Sequence, residues 1–362
     1  MSTLVPILIF SSLTFFSFLS IVNPRKVNRK ANLWFGITIL LWSTFWIEEA
    51  AKLADWPIVD PNLVNAILFL QFFTPLTLYI SIIFFTNPNH KIKKTGLVFL
   101  ITPLLYGTVL FLQAEISLNT YPLTLGLSLA HSLFYISFSL FKIRKHQKKN
   151  QDFSSDTKEI DLEWLKYTIV MILTITIVAD ILKTTSYYSS LSLYLDYTIL
   201  ITVYSSGYYL IKQKEIFPID KKQREDVLSI NGQDLHINRK RRLFSEEKLV
   251  ELKSGLNRFM IEKEPYLDNE INLASLSNQL GLSSHQLSFV INNGFDENFF
   301  NFVNRHRVEK AKSLLLSNLS DKYSILGIAF ESGFNSKTSF NTTFKNFTGQ
   351  TPSEFKKNSS VL

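Results

Sequence analysis

Two short sets of side chains near the end of the chain have the types and spacing to hydrogen-bond with base edges in a DNA groove. Ser284, His285, Ser288 and Phe289 make up one set; Lys337, Thr338, Asn341 and Thr342 make up the other. Each set follows a serine able to cap a helix, Ser283 or Ser336. Apolar residues stand four and eight positions after each cap: Leu287 and Ile291 in the first, Phe340 and Phe344 in the second. At helical spacing those pairs share one face and must point inward, which leaves the polar sets outside. Short hydroxyl, amide and ammonium groups on an exposed helix face suit base edges and phosphates in a major groove. Phe289 is unusual on such a face. It reads either as a contact to a thymine methyl or as a packing residue.

A second group of ionisable residues lies in apolar surroundings near the start of the chain. Glu48, Glu49, Asp180 and Asp196 fall at or near the ends of apolar runs, with Trp42 and Trp46 close by, and His131 sits nearer the middle of another run. Charges in such segments are costly and tend to face a partner, a cavity or water. One reading places the acids at a water interface or in structural pairs such as Asp180–Lys183, three apart on one helix. The sharper reading is an outward-facing ligand pocket lined by Glu48, Glu49, Asp180 and Asp196.

The base-reading sets need elements to hold them. Ala329 and Gly333 are four apart, as are Ser277 and Gly281. A small residue and then a glycine at this spacing lets two helices cross closely around a tight turn. Residues 272–292 and 325–347 therefore read as two helix-turn-helix units. A helix over about 296–315 joins them, with Asp296 and Glu297 at its start and Phe299, Val303, Ala311 and Leu314 or Leu315 as its buried stripe. A stiff connector sets the spacing of the two reading helices, which must stand about 34 Å apart to read one DNA face. Gly349 closes a helix, and Thr351-Pro352-Ser353-Glu354 is a capping box with proline at the first helical position. Upstream, Ser245 caps an amphipathic helix carrying Leu249, Leu252, Leu256 and Met260.

This stretch resembles the C-terminal DNA-binding domain of the AraC/XylS family of bacterial transcription regulators. "IAFESGFNSKTSFNTTFKNFTGQTPSEF" follows the family signature through Ile328-Ala329, Gly333-Phe334, Ser336, Phe340, Phe344-Lys345, Gly349, Thr351-Pro352 and Phe355. "LASLSNQLGLSSHQLSFVIN" and "FNFVNRHRVEKAKSLL" match its first unit and linker helix. The resemblance spans about residues 265–357. It implies that one helix of each unit enters the major groove, with base contacts at the positions of His285, Ser288, Phe289, Lys337, Thr338, Asn341 and Thr342. The departure falls at Ser288 and Phe289, where long polar side chains are more usual.

The rest of the chain differs sharply. Residues 1–211 hold 16 Lys and Arg and 12 Asp and Glu, against 22 and 18 in residues 212–362. Seven apolar runs are long enough to span a bilayer as helices: about 3–22, 32–53, 64–85, 96–113, 122–141, 164–184 and 191–211, the fourth being the shortest. Lys and Arg cluster at 25–30, 91–94, 142–149 and 212–214, while residues 54–63, 114–121 and 185–190 contain none. Positive loops stay cytoplasmic, so an odd number of spans is expected, with the N-terminus outside and the C-terminus in the cytoplasm of a bacterium, in its inner membrane. Residues 1–22 lack the basic start of a cleaved signal peptide. Residues 212–242, with "KKQRED" and "NRKRR", read as a solvated cytoplasmic linker.

The expected architecture is thus all-α: a seven-helix transmembrane bundle over 1–211, the linker, an amphipathic helix over 243–264 and a tandem helix-turn-helix domain over 265–357. The chain has no cysteine, which removes disulfides, thiolate metal sites and cysteine nucleophiles. No HExxH or comparable metal motif occurs and no motif calls for a cofactor. A catalytic or metal cluster of Glu48, Glu49 and His131 is the weakest reading. The leading expectation is a membrane-integral, one-component transcription regulator that is not an enzyme. Its partners are double-stranded DNA, the lipid bilayer and a small-molecule or membrane signal; paired sites favour a homodimer, although no heptad run is present. The alternative is a membrane receptor or transporter whose helical end binds a protein.

Overall fold

The computed structural model describes residues 4–91, 94–116, 121–155, 161–183, 188–212, 243–317 and 323–359. The expected linker therefore lies outside the described residues apart from Lys212. The chain divides into two units: Met1–His146 with Glu159–Ile216, and Gln147–Lys158 with Phe217–Leu362. Among the described residues all regular structure is helical, and the one extended pairing is an antiparallel bridge between Ser154 and Asn272.

The N-terminal unit contains α1 (Leu4–Val22), α2 (Arg29–Ser43), α3 (Ile47–Leu53), α4 (Pro61–Gln71), α5 (Thr74–Thr86), α6 (Ile101–Ile116), α7 (Tyr121–Asn150, whose last turn belongs to the other unit), α8 (Glu163–Lys183) and α9 (Tyr188–Lys212). Helix α1 packs on α2 and α9, α2 on α5, α8 on α9, and α4 on α6. Hydroxyls join these helices: Ser17 donates to the Gly36 carbonyl at 2.8 Å, Ser20 to the Asn32 carbonyl at 2.8 Å, Ser81 to the Ala31 carbonyl at 3.0 Å, and Thr38 to Thr77 at 3.1 Å. Small polar residues thus sit at these helix contacts, with large apolar ones outside. Phe15, Phe18, Phe111, Phe134, Phe141 and Ile201 all point outward.

By length and composition, three helical stretches among the described residues could cross a bilayer: Leu4–Val22, Pro61–Thr86 taken across the α4–α5 joint, and Pro122–Asn150. A shorter apolar helix covers Val98–Gln113. These stretches correspond to the first, third and fifth of the seven expected runs, and the shorter helix to the fourth. The run at 32–53 does not form one helix: it breaks into α2, a 3₁₀ turn at Thr44–Trp46, and α3. The cause is local. Ser43 and Thr44 turn their hydroxyls back onto the Leu40 and Leu41 carbonyls, and Gln71 donates to the Thr44 carbonyl at 3.1 Å, so the break leaves that group satisfied. The fourth run begins as a 3₁₀ segment at Lys94–Leu100 before α6. Runs six and seven fold as α8 and α9, of 21 and 25 residues.

The C-terminal unit contains α10 (Glu246–Lys263), α11 (Leu273–Gln279), α12 (Ser284–Gly294), α13 (Phe299–Leu316), α14 (Ile325–Glu331), α15 (Lys337–Thr348) and α16 (Pro352–Ser359). Side-chain caps start α10 to α15 at Ser245, Asn272, Ser283, Asn298, Ser324 and Ser336. Glu354 accepts from the Thr351 amide at 2.8 Å, closing the expected capping box of α16. The joining helix starts later than expected. Asp296 takes a left-handed conformation (φ 57°) and Glu297 pairs with Arg305 at 2.9 Å, so Asn298 becomes the cap.

Candidate nucleic-acid interface

Helices α14 and α15 form the second helix-turn-helix. Gly333 sits at their turn with φ 85°, and a Cβ there would run into the Tyr266 carbonyl and the Leu267 Cα. Both the dihedral and the close approach therefore require glycine. Beneath the turn, Phe334, Phe340 and Phe344 pack with Val308, Ala311 and Leu315 of α13 and with Ile328 and Ala329 of α14. Ring centroids are 5.1 Å apart for Phe334–Phe340, 5.5 Å for Phe340–Phe344 and 5.4 Å for Phe344–Phe355. Losing one such ring from a core costs about 3–5 kcal/mol. This packing fixes the rotation of α15. Lys337, Thr338 and Thr342 are exposed and Asn341 is half-buried, all on the side away from that core. Such a face offers an ammonium donor, two hydroxyls and a bidentate amide, a set that can bond to phosphate, guanine and adenine edges.

The first unit places its residues differently. Gly281 (φ 66°) makes the turn between α11 and α12 in open space. Leu287, Val290 and Ile291 are buried as the phasing requires, but so is Ser288, which is only 7% exposed and receives a bond from Asn292 at 3.2 Å. The expected exposure of Ser288 is therefore corrected. It stands one position from Leu287 and three from Ile291, so the buried arc of α12, which also takes in Val290, extends over it. Ser284 faces Ser277 at 3.3 Å and braces the turn. Phe289 is half-buried with its ring 5.9 Å from Phe244, which favours the packing reading of this residue. His285 is half-buried near the start of α12. The face of α12 is thus poorer in free donors than that of α15.

Arg307 of α13 holds the two halves of this unit together, and the sequence reading passed over it. It is 2% exposed, and its guanidinium donates to the Tyr266 carbonyl at 2.8 Å, the Asp268 carbonyl at 2.8 Å, Ser155 Oγ at 3.2 Å and Asn304 Oδ1 at 3.3 Å. Its position on the stripe Phe299–Val303–Arg307–Ala311, at steps of four, was the available signal. Beside it, Glu264 ends α10 in a left-handed conformation and accepts from Lys310 at 2.7 Å and from the Tyr266 hydroxyl at 2.9 Å. The Lys310 bond holds the Glu264 carboxyl below its usual range. Burial raises the Tyr266 phenol above its ordinary value, and the carboxylate bond adds to the rise. His306 stacks on Tyr266 at 5.6 Å, and burial, helped by Arg305, lowers it to about 4, against a smaller opposing effect of Glu309.

Of the acids considered for a ligand pocket, Glu48 and Glu49 are exposed in the first turn of α3. Asp196 on α9 is bonded to Trp46 and has Glu49 as a charged neighbour. The side chain of Asp180 on α8 lies outside the described residues. His131 is buried against Phe72 and Tyr135 and bonds to Thr102 at 3.0 Å. Among the described residues no three His, Asp or Glu side chains cluster so as to hold a metal ion, and Glu48, Glu49 and His131 form no such group.

A helix-turn-helix domain family matches residues 276–358. Uncharacterized HTH-type transcriptional regulators of Staphylococcus aureus strains COL, MSSA476 and MRSA252 are each 36% identical over 93 residues, which is 26% of this chain. The chain spans 12% of the length of these curated relatives. No solved structure matches it. The C-terminal unit thus carries an AraC-type helix-turn-helix domain, and DNA is the partner this domain supports.

Proposed function

We propose that this chain is a membrane-integral transcription regulator that binds double-stranded DNA in the major groove, chiefly through α15, under control of its apolar N-terminal unit. The observation that carries the DNA-binding reading is the outward set Lys337, Thr338, Asn341 and Thr342 on a helix locked in rotation by Phe340 and Phe344. In this reading the first unit contributes phosphate contacts and His285, with Ser288 left inside.

The membrane part of the reading rests on the three long apolar stretches and on the outward Phe and Ile side chains. Exposed apolar surface on that scale is tolerated where lipid covers it. Seven crossings, with the N-terminus outside, agree with the alternation of Lys and Arg. The residues that follow α7 pack within the C-terminal unit, which is possible only if no bilayer separates them. This supports a cytoplasmic α7–α8 connection beside a cytoplasmic DNA-binding unit. A signal acting on the N-terminal unit, at the Asp196–Trp46–Glu49 grouping or elsewhere, shifts DNA binding only by favouring one arrangement over another. A homodimer on paired sites completes the proposal.

The test uses the full chain in lipid nanodiscs and DNA sites selected from a random pool. Replacing Lys337 and Asn341 together with alanine removes contacts worth about 1–3 kcal/mol each, so affinity for the selected site should fall at least ~10-fold. Loss of a phosphate-contacting lysine would also lower the salt dependence by about one counterion. Unchanged affinity would refute the role of α15.

A further inference from the structure

The C-terminal unit contains a segment that comes from far upstream. Gln151–Ser155 leaves the end of α7 through a turn, bridges Asn272 at Ser154, and packs among residues more than a hundred positions later. Its backbone carbonyls do a specific task. Each helix begins with amides that have no partner inside the helix. The Asn272 side chain takes the Ser275 amide of α11, and the Phe153 carbonyl takes the Leu273 amide at 3.0 Å. At α13 the Asn298 side chain takes the Asn301 amide, and the Gln151 carbonyl takes the Phe300 amide at 2.9 Å. Two carbonyls two residues apart thus each satisfy one further amide at the starts of two helices, one of the first helix-turn-helix and one of the connector.

The side chains reinforce this seat. Ser155 is 2% exposed and donates to the Ile271 carbonyl at 2.8 Å, while its hydroxyl accepts from Arg307 and its carbonyl accepts from Asn304 at 3.2 Å. Phe153 is buried, and Gln151 Oε1 accepts from Asn298 at 3.4 Å. Asn304 and Arg307 are themselves fully buried, so without Ser155 they would lose partners where water does not reach.

We infer that Gln151–Ser155 is an integral clasp of the DNA-binding unit, holding α11 to α13, and that DNA affinity depends on its seating. The clasp continues directly from α7, an element of the apolar unit. Any displacement of the end of α7 is therefore applied to the N-termini of α11 and α13 without passing through residues 213–242. The dependence on DNA rests on the proposed function; the clasp itself does not.

The experiment again uses the full chain in nanodiscs. The first variant is Phe153→Ala with Ser155→Ala, read by amide hydrogen exchange and by affinity for the selected DNA site. Faster exchange at Leu273 and Phe300 by about tenfold or more, with α15 and α16 unchanged, and a roughly tenfold loss of affinity, are the expected results. Unchanged exchange at those two amides would overturn the clasp. Faster exchange with unchanged affinity would overturn its control of DNA binding. The second variant, Ser154→Cys with Asn272→Cys, guards against misfolding of the first. Bridged antiparallel residues lie about 4.5–5.5 Å apart at Cα, within disulfide range, and the chain has no other cysteine. The pair should oxidise spontaneously, and because Asn272→Cys also removes the side-chain cap of α11, affinity is compared within this variant: the oxidised form, with the clasp held in place, should bind several-fold tighter than the reduced form. A pair that stays reduced in air, or affinity lost on oxidation, would overturn the proposal. If the unaltered protein binds no DNA, exchange and cross-linking still decide whether the clasp is seated.

Discussion

Replacing Arg307 with leucine removes the group that joins the most distant parts of the C-terminal unit. The guanidinium satisfies the Tyr266 and Asp268 carbonyls and contacts Ser155 and Asn304, at a site only 2% exposed. Each buried acceptor left without a donor costs about 1–3 kcal/mol. Removing the buried charge offsets part of that, so the net loss should be about 3 kcal/mol. Such a loss is a large share of the stability of a small domain, typically 5–15 kcal/mol. The assay must report on this unit alone. All five tryptophans, Trp34, Trp42, Trp46, Trp56 and Trp164, belong to the N-terminal unit, so their fluorescence does not serve. Amide exchange along α13 in the full chain does, because 3 kcal/mol corresponds to a rise of about 150-fold in the open population. Arg307→Lys should recover little, since an ammonium cannot span two carbonyls as a planar fork does. A leucine variant within about 1 kcal/mol of the parent would refute the reasoning. Full rescue by lysine would show that charge, not the fork, is what the site needs.

The two turn glycines should respond differently to alanine: Gly281 stands in open space and should lose only about 1 kcal/mol from its dihedral, whereas Gly333 also meets the Tyr266 backbone and should lose clearly more, as compared by exchange in α12 and α15. His306 titrates at about 4 when folded, below its ordinary 6.5, so the unfolded chain binds the proton first. Its contribution is complete above pH 6.5 and falls as pH drops toward 4, a loss of about 2 kcal/mol between pH 7.5 and 5 that His306→Phe should remove from the pH profile. Glu264 and Glu354, both held below the usual carboxylate range, add their own decline only at lower pH, so the comparison of parent and variant isolates the histidine. Reporter fusions after residues 60 and 150 should give opposite topology signals; matching signals would break the seven-crossing arrangement.

Much of the C-terminal unit was legible residue by residue. Ser245, Ser283 and Ser336 cap the helices expected of them, Gly281 and Gly333 make the turns, Gly349 ends α15 and Thr351–Glu354 starts α16. The outward placement of Lys337, Thr338 and Thr342 followed from the spacing of Phe340 and Phe344. Ser288 was misjudged because a two-residue apolar pair gives the centre of a buried arc but not its width. The apolar run at 32–53 hid a break, because hydropathy sums over a window and does not register hydroxyls turning back on carbonyls at Ser43 and Thr44.

Caps, turns and helix faces are set by neighbours within about four residues, so the sequence by itself determined them, together with the division between an apolar part and a helix-turn-helix part. What covers the orphan amides of Leu273 and Phe300, and what fills the site around Arg307, were decided only by tertiary structure. The bonds from Gln151, Phe153 and Ser155 close loops of well over a hundred residues, as from Ser155 to Arg307 across 152 positions, and those from Arg307 to the Tyr266 and Asp268 carbonyls cross 41 and 39. Nothing in the local pattern encodes which distant carbonyl will arrive; that depends on how the whole chain is routed.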